Sequence, residues 1–556
     1  MLLSLWQNLR KYPALLLLVL VFGASCAVVA VNAYRAAGGA VGQGRKKVLR
    51  IAHWQLEQGI RDAIDRLIAD YEKLHPDVEV RQILIPETGY FQWVNTQLIG
   101  RTAPDMIEVG SGGTVGWALW PKFYARYFLP LDRYVDEPNP YNRGTALEKV
   151  PWRKTYFDEM DGGYEETLQS YYRIPLSAFT ERLYYNKDLV EKVWGPTFPK
   201  TYEDFLELCR KLAEYGRKNE KKLVPIAGSG YNFRQFFNAY RTAFTANYLD
   251  PLDVDMDGIV SRIESAAPIY SGRVKLTETP IRANFELVRE LSEFFPQGYT
   301  SLSRDEAIFL FLQGSAAMIT TGSWDYESMG VQSEFHLAVT EIPLPSKSNP
   351  RYGSYVAGPQ TEAGIRGGFP VGITKMSRNA EVALDFMQYA TSLKKNEEVN
   401  RAMYWLPVIK GAEPRDELKP FAPRTEGYSA SIEYEGPGAE MAYAQISIEY
   451  LSGKLSYEEF VDQFMQAYRR EVPAGIQDVL RNDEQTLNQE MRFAAIRRAA
   501  LTGAPGATAV ATGDSAAQYK RIMEAYVAQV GVRDSDIRDW TENARQAEQP
   551  ARQSGR

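Results

Sequence analysis

The stretch from Asp253 to Glu264 has the residue types and spacing of a calcium loop. Carboxylates at Asp253, Asp255 and Asp257 fill positions one, three and five, and Gly258 at six permits the sharp turn. Ile259 offers a backbone carbonyl at seven, Ser261 a hydroxyl at nine and Glu264 a bidentate carboxylate at twelve. Val260 at eight supplies a small apolar anchor. Hard oxygen donors in this order suit Ca²⁺. Pro251 and Pro268 leave little room for a pair of flanking helices, so the expectation is a structural Ca²⁺ that braces a loop, not a sensor. The competing account is an acidic surface turn.

Other chemistries are poorly served. The histidines are His53, His75 and His336, far apart, and the cysteines are Cys26 and Cys209, so a His/Cys metal site is not expected. Cys26 falls in an apolar run, which leaves one thiol in the soluble part and no internal disulfide. The chain has no nucleophile elbow, Walker loop or zincin motif. The glycine-rich run from Gly110 to Gly116 misses the dinucleotide spacing and lacks Gly-Lys-Ser/Thr. Glu433 and Glu435 flank Tyr434, but nothing separates a general acid from a base, so a solvated acidic turn is the simpler account of the pair. A net charge of −6 and a pI near 5.6 provide no basic face for nucleic acid.

The elements that must position these groups read as an α/β chain too long for one core at 556 residues. Val48–Ala52 reads as a strand. Ile60, Ala63, Ile64, Leu67, Ile68, Tyr71 and Leu74 then recur at helical spacing until Pro76. Val78–Val80 and Met106–Val109 continue the alternation, which predicts a parallel sheet. Beyond Leu189 the chain turns mainly helical. Thr201 and Asp204 outline a capping box that opens a helix through Phe205, Leu208, Cys209 and Leu212, which places Cys209 on a buried stripe. Glu381–Ser392 and Ser456–Glu471 read as amphipathic helices. A Gly/Ala/Thr stretch follows Leu501, and Tyr519, Ile522, Met523, Tyr526, Val527 and Val530 form a last amphipathic helix that packs on the body or docks on a partner.

The first fifty residues concern location. Arg10 and Lys11 precede Ala14–Ala33, twenty residues without a charge. That length suits a membrane-spanning anchor better than a cleaved signal peptide, although Val31-Asn32-Ala33 also fits a cleavage site. Gly23-Ala24-Ser25-Cys26 is a weaker lipobox. Ala36–Gly44 reads as a flexible tether.

An ordered set of motifs resembles a known family. "VLRIAHW" with "YEKLHPDVEV", then "TAPDMIEVG", "RIPLSAFTERLYYNKDLVEKVWGPTFPKTYEDF", "SGRVKLTETP", "LQGSAAMITTGSWDY", "GGFPVGITKMSRNAEVALDFMQYATS", "YWLPV" and "LSGKLSYEEFVDQF" follow the order of the family-1 extracellular solute-binding proteins of ABC importers. The resemblance covers roughly residues 48–480. Residues from about Asp483 to Arg556 have no counterpart in it.

The resemblance implies a two-lobe periplasmic-binding-protein-like α/β fold with hinge and interlobe cleft; outside it, the apolar run adds an N-terminal transmembrane helix and the last residues a C-terminal helical extension. The expected boundaries are residues 1–35 for the anchor, 36–47 for the linker, 48–173 plus 350–400 for lobe 1, 174–349 plus 401–482 for lobe 2 with the calcium loop inserted at 253–264, and 483–556 for the extension. It implies a tethered, extracytoplasmic protein, in the periplasm or at the cell surface, that hands a carbohydrate to the permease subunits of an ABC importer. A sugar offers hydroxyl edges and flat C–H faces, which call for directed polar groups and aromatic rings in a cleft. Trp54, directly after the first strand, and Trp324, after another, match the family's binding positions. Glu108, Gly110 and Ser111 at the end of the third strand, Tyr326, Gly368 and Phe369, and Trp405 complete the expected ligand set. The expectation is binding without catalysis. A membrane-anchored sugar-sensing module for a receptor, or a glycoside hydrolase, is the alternative.

Overall fold

The computed structural model describes residues 46–553 apart from 112, 166–167, 169, 220–221, 257–259, 363–366, 429–431 and 502–513. The anchor run Ala14–Ala33 and its tether therefore lie outside the described residues. Among those residues no helix is long and apolar enough to cross a membrane.

The chain opens with β1 (Lys47–His53), α1 (Gln58–Leu74), β2 (Val78–Leu84), α2 (Glu87–Ile99), β3 (Met106–Glu108) and α3 (Gly113–Tyr127), then reaches β4 (Ile174–Ser177). The stripe read from the sequence is the face that α1 buries: Ile60, Ala63, Ile64, Leu67, Ile68 and Tyr71. β1 pairs in parallel with β2 and with β3. Short crossover helices between parallel strands give the alternating apolar pattern its physical sense.

A second sheet follows. It comprises β5 (Glu181–Asn186), β6 (Val224–Ile226), β7 (Ala316–Gly322) and β8 (Leu337–Thr340), in the order β8-β5-β7-β6. Between its strands run α4 (Tyr202–Lys218), α5 (Gly230–Thr245), α6 (Arg262–Ser271), α7 (Thr279–Ser292) and α8 (Arg304–Leu312). The Thr201 side chain accepts from the Asp204 N–H and caps α4, and Cys209 is fully buried on that helix. Burial pushes its thiol well above the usual range.

The chain then returns to the first sheet as β9 (Gly368–Ile373), which lies antiparallel between β3 and β4, completing the order β2-β1-β3-β9-β4. α9 (Ala380–Ala390) and α10 (Leu393–Met403) cover it. Finally α11 (Glu440–Leu451), α12 (Tyr457–Leu501) and α13 (Asp514–Gln553) build out from the second lobe. α12 runs on through Pro473, well past the Glu471 end expected from the sequence.

Three boundaries shift. β4 was expected to begin lobe 2, yet it is the edge strand of the first sheet, with Ser177 opposite Gly368. The crossing is therefore Ala178–Thr180, a few residues beyond the expected 173/174 boundary. Residues just after 401 also stay with lobe 1, since Leu406 bridges Ala178 and Ile409 bridges Tyr156. Conversely Tyr352 and Val356, expected in lobe 1, are buried in the core of lobe 2.

Candidate ligand-binding site

On the lobe 1 side, the ends of β1 and β3 are held together by one fully buried carboxylate. Glu108 accepts the Trp54 backbone N–H at 3.1 Å and the Gln55 side-chain amide at 2.7 Å. Burial pushes the Glu108 carboxyl well above the usual range, with these two donors opposing the rise. The Tyr90 hydroxyl donates to the carbonyls of Ala52 and Glu108, and its ring meets Trp54 edge to face at 4.9 Å. Glu108 thus positions Trp54, which is half-buried. Gly110 adopts φ +97°, a left-handed turn that favours glycine. The Ser111 hydroxyl is buried without a hydrogen-bond partner among the described residues, while its carbonyl accepts from the Trp120 indole at 2.8 Å. Beside them, burial lowers the His53 imidazole to about 4, and its Nε2 pairs with the Gln82 side chain at 2.7 Å.

On the lobe 2 side, Trp324 lines a cavity of about 1490 Å³ that reaches from the crossing at Phe179 along the face of α5. The full charges around it are largely matched within the wall. Arg182, with its side chain 2% exposed, forms a two-point ion pair with Glu362 at 2.6 and 3.0 Å. Arg424 pairs with Glu341 at 2.5 Å. Glu181 accepts the Tyr231 hydroxyl at 2.8 Å, and burial raises its carboxyl. Gln235 and Asn238 on α5, with Thr197 and Thr340, point neutral polar groups at the space, and Lys200 stands exposed at its edge.

Of the expected ligand residues, Trp324 alone lines this cavity. Tyr326 packs against Tyr184 and Phe421. Gly368 makes room for a neighbour: a Cβ there would meet the Phe179 ring at 2.3 Å. Phe369 and Trp405 are only 2% and 3% exposed. Trp405 packs edge to face on Phe179 at 4.9 Å and on Phe369 at 6.3 Å, and Phe179 meets Trp324 at 5.4 Å. These rings form a stack behind the cavity. Its last member, Trp324, meets solvent, and Phe369 and Trp405 support it from the core, contrary to their expected ligand-facing role. Gln235 and Asn238 escaped the sequence reading. Their signal was two amides three apart on a helix whose Phe233, Phe236 and Tyr240 face the core.

The acidic loop lies elsewhere in lobe 2. Carboxylate oxygens of Asp253, Asp255 and Glu264 lie within 4.8 Å of one another, a donor set that fits a hard divalent cation. Asp257 and Ile259 fall outside the described residues. Glu264 is 2% exposed and accepts three backbone N–H groups, from Val254, Asp255 and Ser261. Ser261 caps α6 by accepting the Glu264 N–H, and its hydroxyl donates to Asp536 of α13 at 3.0 Å. Burial, with the carboxylates of Glu264, Asp255 and Asp483, pushes Asp536 up to about 7.

Two α/β lobes joined where the chain crosses between their sheets, with a cavity beside the crossing, define the class of two-lobe binding proteins. The bacterial extracellular solute-binding protein family matches residues 57–397, and this chain belongs to it. It is 20% identical over 288 residues to an uncharacterized ABC transporter extracellular-binding protein of Pyrococcus horikoshii, covering 50% of this chain and 55% of that protein. It is 22% identical over 200 residues to the melibiose/raffinose/stachyose-binding protein MelE of Bacillus subtilis, covering 35% of this chain and 40% of MelE. The chain thus spans about half the length of these two relatives. With the multiple sugar-binding protein of Streptococcus mutans it shares 21% over 400 residues, 69% of this chain and 80% of that one. Among solved structures, apo RafE from Streptococcus pneumoniae superposes with a TM-score of 0.53 at 16% identity, covering 78% of this chain and 99% of RafE. That likeness concerns the fold.

Proposed function

We propose that this protein captures an uncharged carbohydrate beside Trp324 and delivers it to the permease subunits of an ABC importer. The observation that carries the reading is the wall chemistry: two of its arginines are paired with carboxylates within the wall, and neutral amides, hydroxyls and aromatic rings including Trp324 line the space. A polyhydroxyl ligand needs just such donors and a ring for its C–H face, and it brings no charge to be compensated. The relatives named for sugar binding support the same class. Trp54, Gly110 and Ser111 supply the facing lobe 1 surface, which closure would bring onto the ligand.

Thermal unfolding of the protein against mono- and oligosaccharides tests this. A ligand at a hundred times its dissociation constant adds about 2.7 kcal/mol of stability. No shift across sugars, with a shift for peptides or phosphate esters, would sink the carbohydrate reading. Release of cleaved product would favour a hydrolase. If a sugar binds but a reconstituted importer shows no stimulated uptake, the sensing role takes over from delivery.

The uncharged run Ala14–Ala33 supports an inner-membrane anchor that holds the binding lobes outside the cytoplasm. Fractionation checks it: recovery in the soluble extracytoplasmic fraction, with the run cleaved off, overturns the anchor. The convergence of Asp253, Asp255 and Glu264 supports a structural Ca²⁺. Calorimetric titration of chelator-stripped protein reads it directly. Absence of heat, with an Asp257→Ala variant behaving identically, would eliminate the site.

A further inference from the structure

The C-terminal helix α13 lies outside the stretch that the family matches, yet it closes a core shared with the cavity wall. Four contacts fasten it to both ends of α6. Ser261, at the N-cap, donates to Asp536. Ser271, at the other end, donates to Asn543 at 2.7 Å. Between them Trp540, 9% exposed, packs on Tyr270 at 5.0 Å, and Arg273 faces Asp539 at 3.6 Å. Asp536, Asp539 and Asn543 are all buried, which a loosely associated tail would not produce.

The same hydrophobic cluster that takes in Trp540 reaches Phe237, on the back of α5. Within that cluster Phe285 of α7 meets Phe237 at 5.4 Å and Tyr434 at 5.2 Å, with Phe237 6.0 Å from Tyr434, and Trp540 enters it beside Tyr270. Gln235 and Asn238, on the same helix as Phe237, line the cavity. A close-packed core transmits displacement because it has few voids to absorb it. We propose that α13 is a strap that positions the α5 wall of the ligand cavity, with Trp540 and Asn543 as positioning residues. The inference rests on the ligand reading above for what the wall binds, but not for the mechanical link.

Hydrogen exchange on the full chain separates the two. In ligand-free Trp540→Ala and Asn543→Ala proteins, amides of residues 514–553 should exchange about ten-fold faster or more. Amides of α5 should lose protection as well, while α1 in lobe 1 keeps its own. A Trp540→Phe variant should restore α5. If the strap loosens and α5 does not change, or if neither changes, the proposal is overturned. Loss of protection in α1 would mean global unfolding, and the comparison then passes to Trp540→Phe, which must differ from wild type in α5 no more than in the strap. With raffinose as probe, binding should protect residues 514–553 in the wild type, since coupling between sites is reciprocal. Binding without that protection also counts against the strap, and absence of raffinose binding counts against the carbohydrate reading alone.

Discussion

The cavity beside Trp324 and the loop around Glu264 handle buried charge in opposite ways. At the cavity, Arg182 meets Glu362 and Arg424 meets Glu341, so the two arginines of the wall are paired within it. At the loop, Asp253, Asp255 and Glu264 converge; backbone amides donate to Glu264, and the Ser261 hydroxyl links the loop to Asp536. The difference teaches what each place is suited to receive. A wall with paired charges suits the neutral guest proposed for it, whereas converging carboxylates suit the proposed cation.

The largest break in that contrast comes from unbalancing the wall. Arg182→Ala should cost about 3–5 kcal/mol by denaturant unfolding, because Glu362 is left with a buried charge. Replacing both partners with Met and Leu should cost far less; an equal cost would show that packing, not charge, is at issue. Titration of His53 comes next. Its folded pKa of about 4 lies below the ordinary imidazole value of 6.5, so the folded state binds fewer protons. The resulting penalty is absent above pH 6.5, grows as pH falls, and saturates near pH 4 at about 3 kcal/mol. A His53→Gln protein should lack that slope between pH 6.5 and 4. At the loop, saturating Ca²⁺ at a hundred times its dissociation constant should add about 2.7 kcal/mol to stability, and Asp255→Ala should abolish the gain in a thermal shift. Trp324→Ala comes last: isothermal titration should show the affinity for a sugar that stabilises the wild type reduced about ten-fold or more, and the fold should lose about 2 kcal/mol of stability, since the partly buried ring packs on Phe179.

Much of this organisation can be read from residue patterns, for identifiable reasons. The α1 stripe, the Thr201 cap and buried Cys209 are local, and local rules describe them. Of the acidic loop, the spacing in the sequence picked out Asp253, Asp255 and Glu264, which the fold brings together. The cavity was not legible, because it is assembled from segments far apart in sequence, including Thr197, Gln235 and Thr340. Trp405 misled because a ring flanked by Met403, Leu406, Val408 and Ile409 is ordinary core, and all four are buried. The crossing was expected at 173/174 and falls at Ala178–Thr180, because only pairing partners reveal that Ile174–Ser177 and Glu181–Asn186 belong to different sheets. α12 extends through Pro473 because it packs on both α11 and α13, tertiary support that no propensity argument contains.

The docking of α13 also bears on how the chain reaches its native state. Ser271 and Asn543, which hydrogen-bond across the α6–α13 contact, are 272 positions apart, whereas β1 and β2 pair within a few dozen. Long loops close late and slowly. Lobe 1 can begin its sheet from local pairings, while lobe 2 keeps an apolar patch open until Trp540 arrives. During synthesis that patch is the surface a chaperone would find, and it stays available until nearly the whole described chain has been made.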